Sequence, residues 1–250
     1  MNKFQKLVSF TAAAIFIATA PSAESYKVGS TATGVPFTFL DAKSGQIEGM
    51  MVDLIHAVGE EAGFEADVNA VDFSSLIPSL NSDRIDLISA AMLITPAREA
   101  VISFSDPVMP YGEGLIVNKD FTGTIGSGFS GLEGKVIGVQ QGTVYLENLQ
   151  KIDGIGEVRA YDSLADILSE VNRGRIDVGV GDKPIVSYQM SQGTYQNIKF
   201  VEGYESQFEG SIAIGVRKDD TELLERVNAA LQVLKDNGTV GEIAVKWGLQ

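Results

Sequence analysis

Gly114-Leu115-Ile116-Val117-Asn118-Lys119-Asp120 and Ala213-Ile214-Gly215-Val216-Arg217-Lys218-Asp219 echo each other from opposite sides of the middle of the chain. Each is a short apolar run that ends in a charged Lys-Asp pair, the pattern of a buried strand running into a turn. They bracket the middle of the chain, and we read them as two strands crossing between lobes. Lobe 1 is then residues 24–115 plus 216–250, and lobe 2 is 116–215. A lobe inserted into another through two strands is a hinge, and a hinge implies a cleft that closes on a ligand.

Outward from these strands, short β-rich runs alternate with helical stretches. Strands are expected at 26–30, 66–71 and 85–90, and helices at 51–62, with Gly63 as the stop, and at 74–81. Such alternation is the mark of an α/β fold with mostly parallel, doubly covered sheets. A unit also recurs. Asp72 to Leu80 leads through Arg84-Ile85-Asp86 into a strand, and Asp162 to Leu168 leads through Arg175-Ile176-Asp177 into Val178-Gly179-Val180. The two Asp-to-Asp intervals, 14 and 15 residues, point to two lobes on one plan.

The N-terminus reads as a secretory signal peptide. Lys3 and Lys6 precede an apolar run from Leu7 to Ala20, and small residues follow. That run is short for a membrane span, and no later segment supplies one. Cleavage is expected after Ala23, with Ser25 as the alternative, and the pre-sequence has no cysteine to carry a lipid anchor. Removing residues 1–23 leaves 17 basic against 33 acidic residues. That surface repels phosphate backbones and anionic lipid, which argues against nucleic acid and membrane surfaces as partners. Without cysteine the chain can hold no thiolate metal site or thiol nucleophile, and His56, its one histidine, sits in a helical pattern. No catalytic residue, metal or cofactor is expected.

In parallel α/β sheets ligands bind beyond the carboxyl ends of the strands, so the strand-to-helix turns are where to look. In Leu93-Ile94-Thr95-Pro96-Ala97-Arg98-Glu99, Thr95 is placed to cap a helix, Pro96 to fill its first position, and Arg98 to project beside free amide N–H groups. Guanidinium plus amides make a carboxylate receptor; the bland alternative is a structural ion pair. In Val139-Gln140-Gln141-Gly142-Thr143-Val144-Tyr145 a glycine and a hydroxyl open a second helix, offering Thr143 and its neighbouring amides to the same anion. Asp182 either caps the helix after it or accepts hydrogen bonds from a ligand cation, and Phe73 is either core or a platform for the ligand's apolar body. Gly126-Ser127-Gly128-Phe129-Ser130-Gly131 matches G-x-G-x-x-G but follows no strand and opens no long helix, so it is expected to be a flexible connector.

Taken together, Phe73-Ser74-Ser75-Leu76-Ile77-Pro78-Ser79-Leu80, Ile94-Thr95-Pro96-Ala97-Arg98, Phe104-Ser105-Asp106-Pro107, Gly138-Val139-Gln140-Gln141-Gly142-Thr143 and the closing Lys246-Trp247-Gly248 resemble the bacterial extracellular solute-binding proteins of family 3. These are polar amino-acid-binding components of ABC transporters. The resemblance covers essentially all of the chain after the leader. It implies the two-lobed periplasmic-binding-protein type II fold with two crossing hinge strands and a Venus-flytrap closure. It also implies a periplasmic monomer that delivers its solute to a membrane permease.

Carried over, the resemblance makes Arg98 the carboxylate clamp, Thr143 and the Val144 amide its partners, and Asp182 the ammonium acceptor. Phe73 becomes a wall, Gln140 a side-chain contact, and the carbonyl near Ala91 a second amine acceptor. Leu93 stands where many relatives carry Ser or Thr, Ala90-Ala91 where Ser or Gly is frequent, Gly34 where an aromatic is common, and Thr31 where Asp is common. A pocket with fewer hydroxyls and acids and one wall missing serves a primary ammonium less well, which suggests a carboxylated solute with a substituted or cyclic amine, of the opine or ectoine kind. Two other functions compete: a periplasmic dehydratase of the prephenate or arogenate kind on the same fold, and a soluble sensory partner. The first needs a positioned acid and base that the cleft residues do not supply.

Overall fold

The computed structural model describes residues 24–126 and 129–249, so the expected signal peptide over 1–23 and two residues of the glycine-rich stretch, Ser127 and Gly128, lie outside the described residues. Strand β1 (Glu24–Ser30) leads into a small antiparallel sheet of β2 (Thr33–Gly34), β3 (Thr38–Leu40) and β4 (Ile47–Glu48). Helix α1 (Met50–Ala62) buries Met50, Met51, Leu54, Ile55 and Val58 along one face and stops at Gly63, which takes the left-handed conformation at φ 78°. His56 lies on the exposed side of this helix.

Strand β5 (Phe64–Ala70) follows, and here the expected helix over 74–81 is shorter than its pattern. A 3-10 turn at Phe73–Ser75 precedes α2 (Leu76–Asn81). Adjacent serines compete with helical backbone bonds, whereas Pro78 is tolerated in a first turn whose N–H groups have no intrahelical partner. Strand β6 (Leu87–Leu93) is buried along its whole length and runs past the expected end at Ala90. It does so through an irregularity opposite β14 at which Ala91 adopts φ 50°. Helix α3 (Pro96–Glu99) is one turn, and β7 (Ile102–Phe104) and β8 (Met109–Tyr111) complete this part of the chain.

The second lobe runs through β9 (Glu113–Asn118), β10 (Val136–Gln140), α4 (Val144–Leu149), β11 (Glu157–Tyr161), α5 (Leu164–Asn172), β12 (Val178–Asp182), α6 (Lys183–Ser191) and β13 (Ile198–Phe200). Strand β14 (Gly210–Arg217) and helices α7 (Thr221–Asp236) and α8 (Thr239–Lys246) return to the first, where both helices pack on α1. Trp247 Nε1 and Lys246 Nζ both donate to Asp53 on α1, at 2.7 and 2.6 Å. No helix of the described residues is long and apolar enough to cross a membrane.

The two large sheets share one plan. Their strand orders are β5-β1-β6-β14-β7, with β8 also on β14, and β11-β10-β12-β9-β13. In each, three parallel strands are followed by an antiparallel one, β14 in the first sheet and β9 in the second. The Ile-Asp of the repeated Arg-Ile-Asp has the same duty in both. The Asp86 carboxylate accepts from the Lys27 N–H of β1 at 2.9 Å, and the Asp177 carboxylate from the Val136 N–H of β10 at 2.7 Å. The isoleucines cover glycines: a Cβ on Gly29 would stand 2.5 Å from Ile85 Cδ1, and one on Gly138 2.5 Å from Ile176 Cδ1. Sequence repetition here records a repeated joint between first and third strands.

The echoing stretches that opened the sequence reading are the two antiparallel strands, and each ends in its Lys-Asp turn. Neither bridges the sheets, however. β9 lies wholly in the second and β14 wholly in the first. The chain passes between sheets at Gly112, inside the extended run 109–118, and returns over 201–209. The likeness marks a shared position in the sheet, which is why it falls just after each passage. The glycine-rich stretch also differs from a flexible connector: Phe129 is buried, its ring 5.6 Å from Phe208, and the Gly126 N–H donates to the Ser130 carbonyl at 2.9 Å.

Candidate functional site

Three strands end at one place. β6 ends at Leu93, β10 at Gln140 and β12 at Asp182, and the carboxyl ends of both sheets face each other across the cleft. All eight residues singled out from the sequence, Phe73, Ala91, Leu93, Arg98, Gln140, Thr143, Val144 and Asp182, line a single cavity there, together with Tyr145. Its volume is about 20 Å³, room for about one water molecule.

Arg98 spans the cleft. Thr95 caps α3, accepting from the Arg98 N–H at 3.3 Å, and so fixes the backbone from which the side chain leaves. Nη1 donates to the Leu93 carbonyl at 2.8 Å and Nη2 to the Gly142 carbonyl of the second lobe at 3.1 Å. The guanidinium carbon lies 5.5 Å from the centroid of the Phe73 ring. Burial lowers its pKa, while the Glu147, Tyr145 and Asp182 charges pull it back up. Since α3 is a single turn, any anion held here depends on this guanidinium and the local amides more than on a helix dipole.

Thr143 caps α4, accepting from Leu146 N–H at 3.3 Å, and its hydroxyl donates to the Gln140 carbonyl at 2.7 Å. Gln140 lines the cavity, but its amide nitrogen already donates to the Asp162 carbonyl at 3.1 Å. Asp182 occupies the N-cap position of α6 without capping it. Its carboxylate instead accepts from the Tyr145 hydroxyl at 2.7 Å. Burial pushes its pKa up to about 6, against the lowering effects of that hydrogen bond and of Arg98. The cavity therefore sets one guanidinium against one costly, readily neutralised carboxylate.

The chain as a whole has relatives among known proteins. Residues 26–250 match the bacterial extracellular solute-binding proteins, family 3. The chain belongs to this family. ABC transporter arginine-binding protein 1 of Escherichia coli (strain K12) is 31% identical to it, over 97% of this chain and 98% of the relative. The structure of an ancestral arginine-binding protein bound to glutamine matches with a TM-score of 0.82 at 31% identity, covering 90% of this chain and 98% of that one. An ancestral amino acid-binding protein described as a precursor of cyclohexadienyl dehydratase matches with a TM-score of 0.79 at 30% identity, over 89% and 95% of the two chains.

Beside the first chamber of this family-3 cleft lies a second, also of about 20 Å³. Phe73, Ala91, Gln140 and Asp182 are common to both, and Thr31, Gly34, Phe37, Thr38 and Tyr111 line the second alone. The wall that Gly34 leaves open is supplied otherwise: Phe37 and Tyr111 are buried with ring centroids 5.3 Å apart at 81°. The Thr31 and Thr38 hydroxyls share a 2.6 Å hydrogen bond. The buried Tyr111 hydroxyl has no hydrogen-bond partner of good geometry. Burial and the neighbouring Asp182 both raise its pKa. Of the residues that the sequence reading passed over, Tyr145 carried a local signal, since a buried tyrosine just inside a capped helix needs a partner for its hydroxyl. Tyr111 and Thr38 carried none.

Glu113 stands where the chain enters the second lobe. It is fully buried, and its carboxylate accepts from Tyr204 OH at 2.7 Å, Gln207 N–H at 2.6 Å, Phe208 N–H at 3.1 Å and the Ser206 hydroxyl. Four donors from the returning segment thus tie the two passages together. Glu113 and Tyr204 also line an open groove of about 1030 Å³, which Arg98 does not reach.

Proposed function

We propose that the chain is the periplasmic receptor of an ABC importer, a monomer that captures an amino acid or amino-acid derivative by cleft closure and hands it to a membrane permease. The observation that carries this reading is the convergence of Arg98 and Asp182, one from each lobe, on one enclosed cavity. A buried cation and a buried carboxylate are each expensive alone, and a zwitterion offers each its counterion. Arg98 holds the solute's carboxylate with help from Thr143 and the Val144 amide. Asp182 and the backbone near Ala91 hold its nitrogen, while Phe73 and Leu93 face the carbon skeleton. Chambers this small must open to admit a solute, so the two lobes separate and close again on it. The apolar Leu93 and Ala91 beside Asp182 favour a nitrogen with fewer N–H donors, which extends the reading to substituted or cyclic amines of the opine or ectoine kind. Export by a cleaved leader rests on the basic start and the apolar run from Leu7 to Ala20.

A thermal-shift screen of the mature protein against amino acids, opines, betaines and ectoines tests this. A ligand bound only by the folded state, at a hundredfold excess over its Kd, stabilises it by about 2.7 kcal/mol. That is about 5–10 °C for a chain of this size. We expect such a shift with a carboxylated solute and its loss in Arg98→Ala. A shift that survives Arg98→Ala refutes the assignment of the clamp. A wide preference for free arginine or glutamine removes the substituted-amine extension. One observation favours a second reading, that of a dehydratase: Asp182, with a pKa of about 6, could deliver a proton near neutral pH. Turnover of prephenate or arogenate that disappears in Asp182→Asn would establish it.

A further inference from the structure

The two chambers hold a small inventory of charge. Among the described residues that line them, Arg98 is the only cation and Asp182 the only carboxylate. Glu113, the nearest other buried acid, has its carboxylate occupied by four donors of the returning segment. A bound zwitterion therefore consumes both charges. What remains for the rest of the solute is neutral: the paired Thr31 and Thr38 hydroxyls, the Phe37 and Phe73 rings, and the buried Tyr111 hydroxyl, which lies beside Asp182 without a hydrogen bond of good geometry. An additional cation enclosed there would have no counterion, a far larger penalty than an unpaired neutral group. An unpaired buried donor, in turn, is relieved by an acceptor placed against it.

We propose that the second chamber sets specificity for the body of the solute, excluding cationic side chains and taking an uncharged group whose oxygen accepts a hydrogen bond from Tyr111. The proposal rests on the binding-protein reading above and sharpens it. It makes the chain differ in preference from the arginine-binding proteins it resembles. The threonine pair keeps the chamber wall polar without offering a charge, and Tyr111, on a strand next to the passage between lobes, is brought to the solute as the lobes close.

Calorimetric titration with L-citrulline, L-arginine and L-norleucine separates the possibilities, because citrulline replaces the guanidinium by a neutral ureido group of nearly the same shape. Citrulline should bind at least about tenfold tighter than arginine. Tyr111→Phe should weaken citrulline about five- to tenfold and leave norleucine unchanged. Thr31→Asp should raise arginine affinity and reverse the order of the pair. Should Thr31→Asp fail to fold, the Tyr111→Phe comparison stands by itself. Arginine binding as tightly as citrulline to the wild type, with both lost in Arg98→Ala, overturns this proposal and leaves the receptor reading intact. An equal loss of citrulline and norleucine in Tyr111→Phe overturns the role of Tyr111, placing its hydroxyl in support of Asp182 instead. Failure of every carboxylated solute to bind overturns the receptor reading and this proposal with it.

Discussion

Replacing Asp182 by Asn should make the ligand-free protein more stable while impairing binding. The carboxyl group has an ordinary pKa of 3.8, and burial raises it to about 6. Between those values the folded state holds more protons than the unfolded one, so stability falls as pH rises through this window and stays at its lower level above about pH 6. At about 1.4 kcal/mol per tenfold change in proton affinity, the penalty reaches as much as about 3 kcal/mol at pH 7.5. Asn cannot ionise, and its amide oxygen can still accept from the Tyr145 hydroxyl, so the variant escapes the penalty without orphaning that donor. Its melting temperature should exceed the wild type's by about 6–12 °C at pH 7.5. The difference should shrink as the pH is lowered and approach zero near pH 4. Thermal unfolding of both proteins from pH 4 to 8 measures it, and subtracting one curve from the other cancels the carboxylates they share. With a saturating zwitterionic solute the order should reverse, since the ammonium then compensates the ionised Asp182. A wild-type-minus-variant difference that is flat across pH 4–6.5 would refute the reasoning, as would a wild type more stable than the variant at pH 7.5.

Two further outcomes follow from the geometry. Gly142 has φ +77°, and a Cβ placed on it would lie 2.7 Å from Ser74 Cα of the facing lobe, so Gly142→Ala should hinder full closure. Small-angle scattering with saturating solute should then show a larger radius of gyration than for the wild type, and affinity should fall about tenfold or more; wild-type compaction would contradict the closed geometry. Asp86→Ala and Asp177→Ala each remove the carboxylate that receives the first strand's N–H. Each should cost about 1–3 kcal/mol in urea unfolding, Asp86→Ala the more because its carboxylate also accepts from Arg217 Nη1 at 3.1 Å, with solute affinity at matched stability unchanged.

The parts of the cleft that could be read in the sequence are those built from local signals. Thr95-Pro96 and Gly142-Thr143 announce strand-to-helix turns, and Arg98 and Thr143 follow from them because capping fixes where the next side chains go. Asp182 was visible as a polar residue ending an apolar strand, although whether it capped α6 or faced the cleft needed the Tyr145 hydroxyl to decide. Tyr111 was out of reach, because its three-residue strand is held by β14, far along the chain. Glu113 was equally illegible: an acid amid apolar residues looks like a strand's exposed edge until donors 91–95 positions later close on it. The passage between lobes was misplaced for a related reason. Apolar patterning locates strands, but which sheet a strand joins is a long-range property, and the run through Gly112 changes partners without changing character. The extension of β6 to Leu93 likewise depended on the irregularity at Ala91, a conformation that alanine's presence does not foretell.

The swapped fourth strands also impose an order of assembly. Every strand of the second sheet lies within residues 113–200, so that sheet can form from one contiguous stretch of chain. The first sheet cannot: β14 must pair with β6 across more than a hundred intervening residues, and loop closure over that span becomes cheap only after the inserted lobe has compacted and brought its two ends together. Refolding should accordingly be sequential, with amides of β10 and β12 protected from hydrogen exchange before those that join β14 to β6. The protein's two halves, alike in plan, are then unequal in time: one is the template whose completion lets the other close.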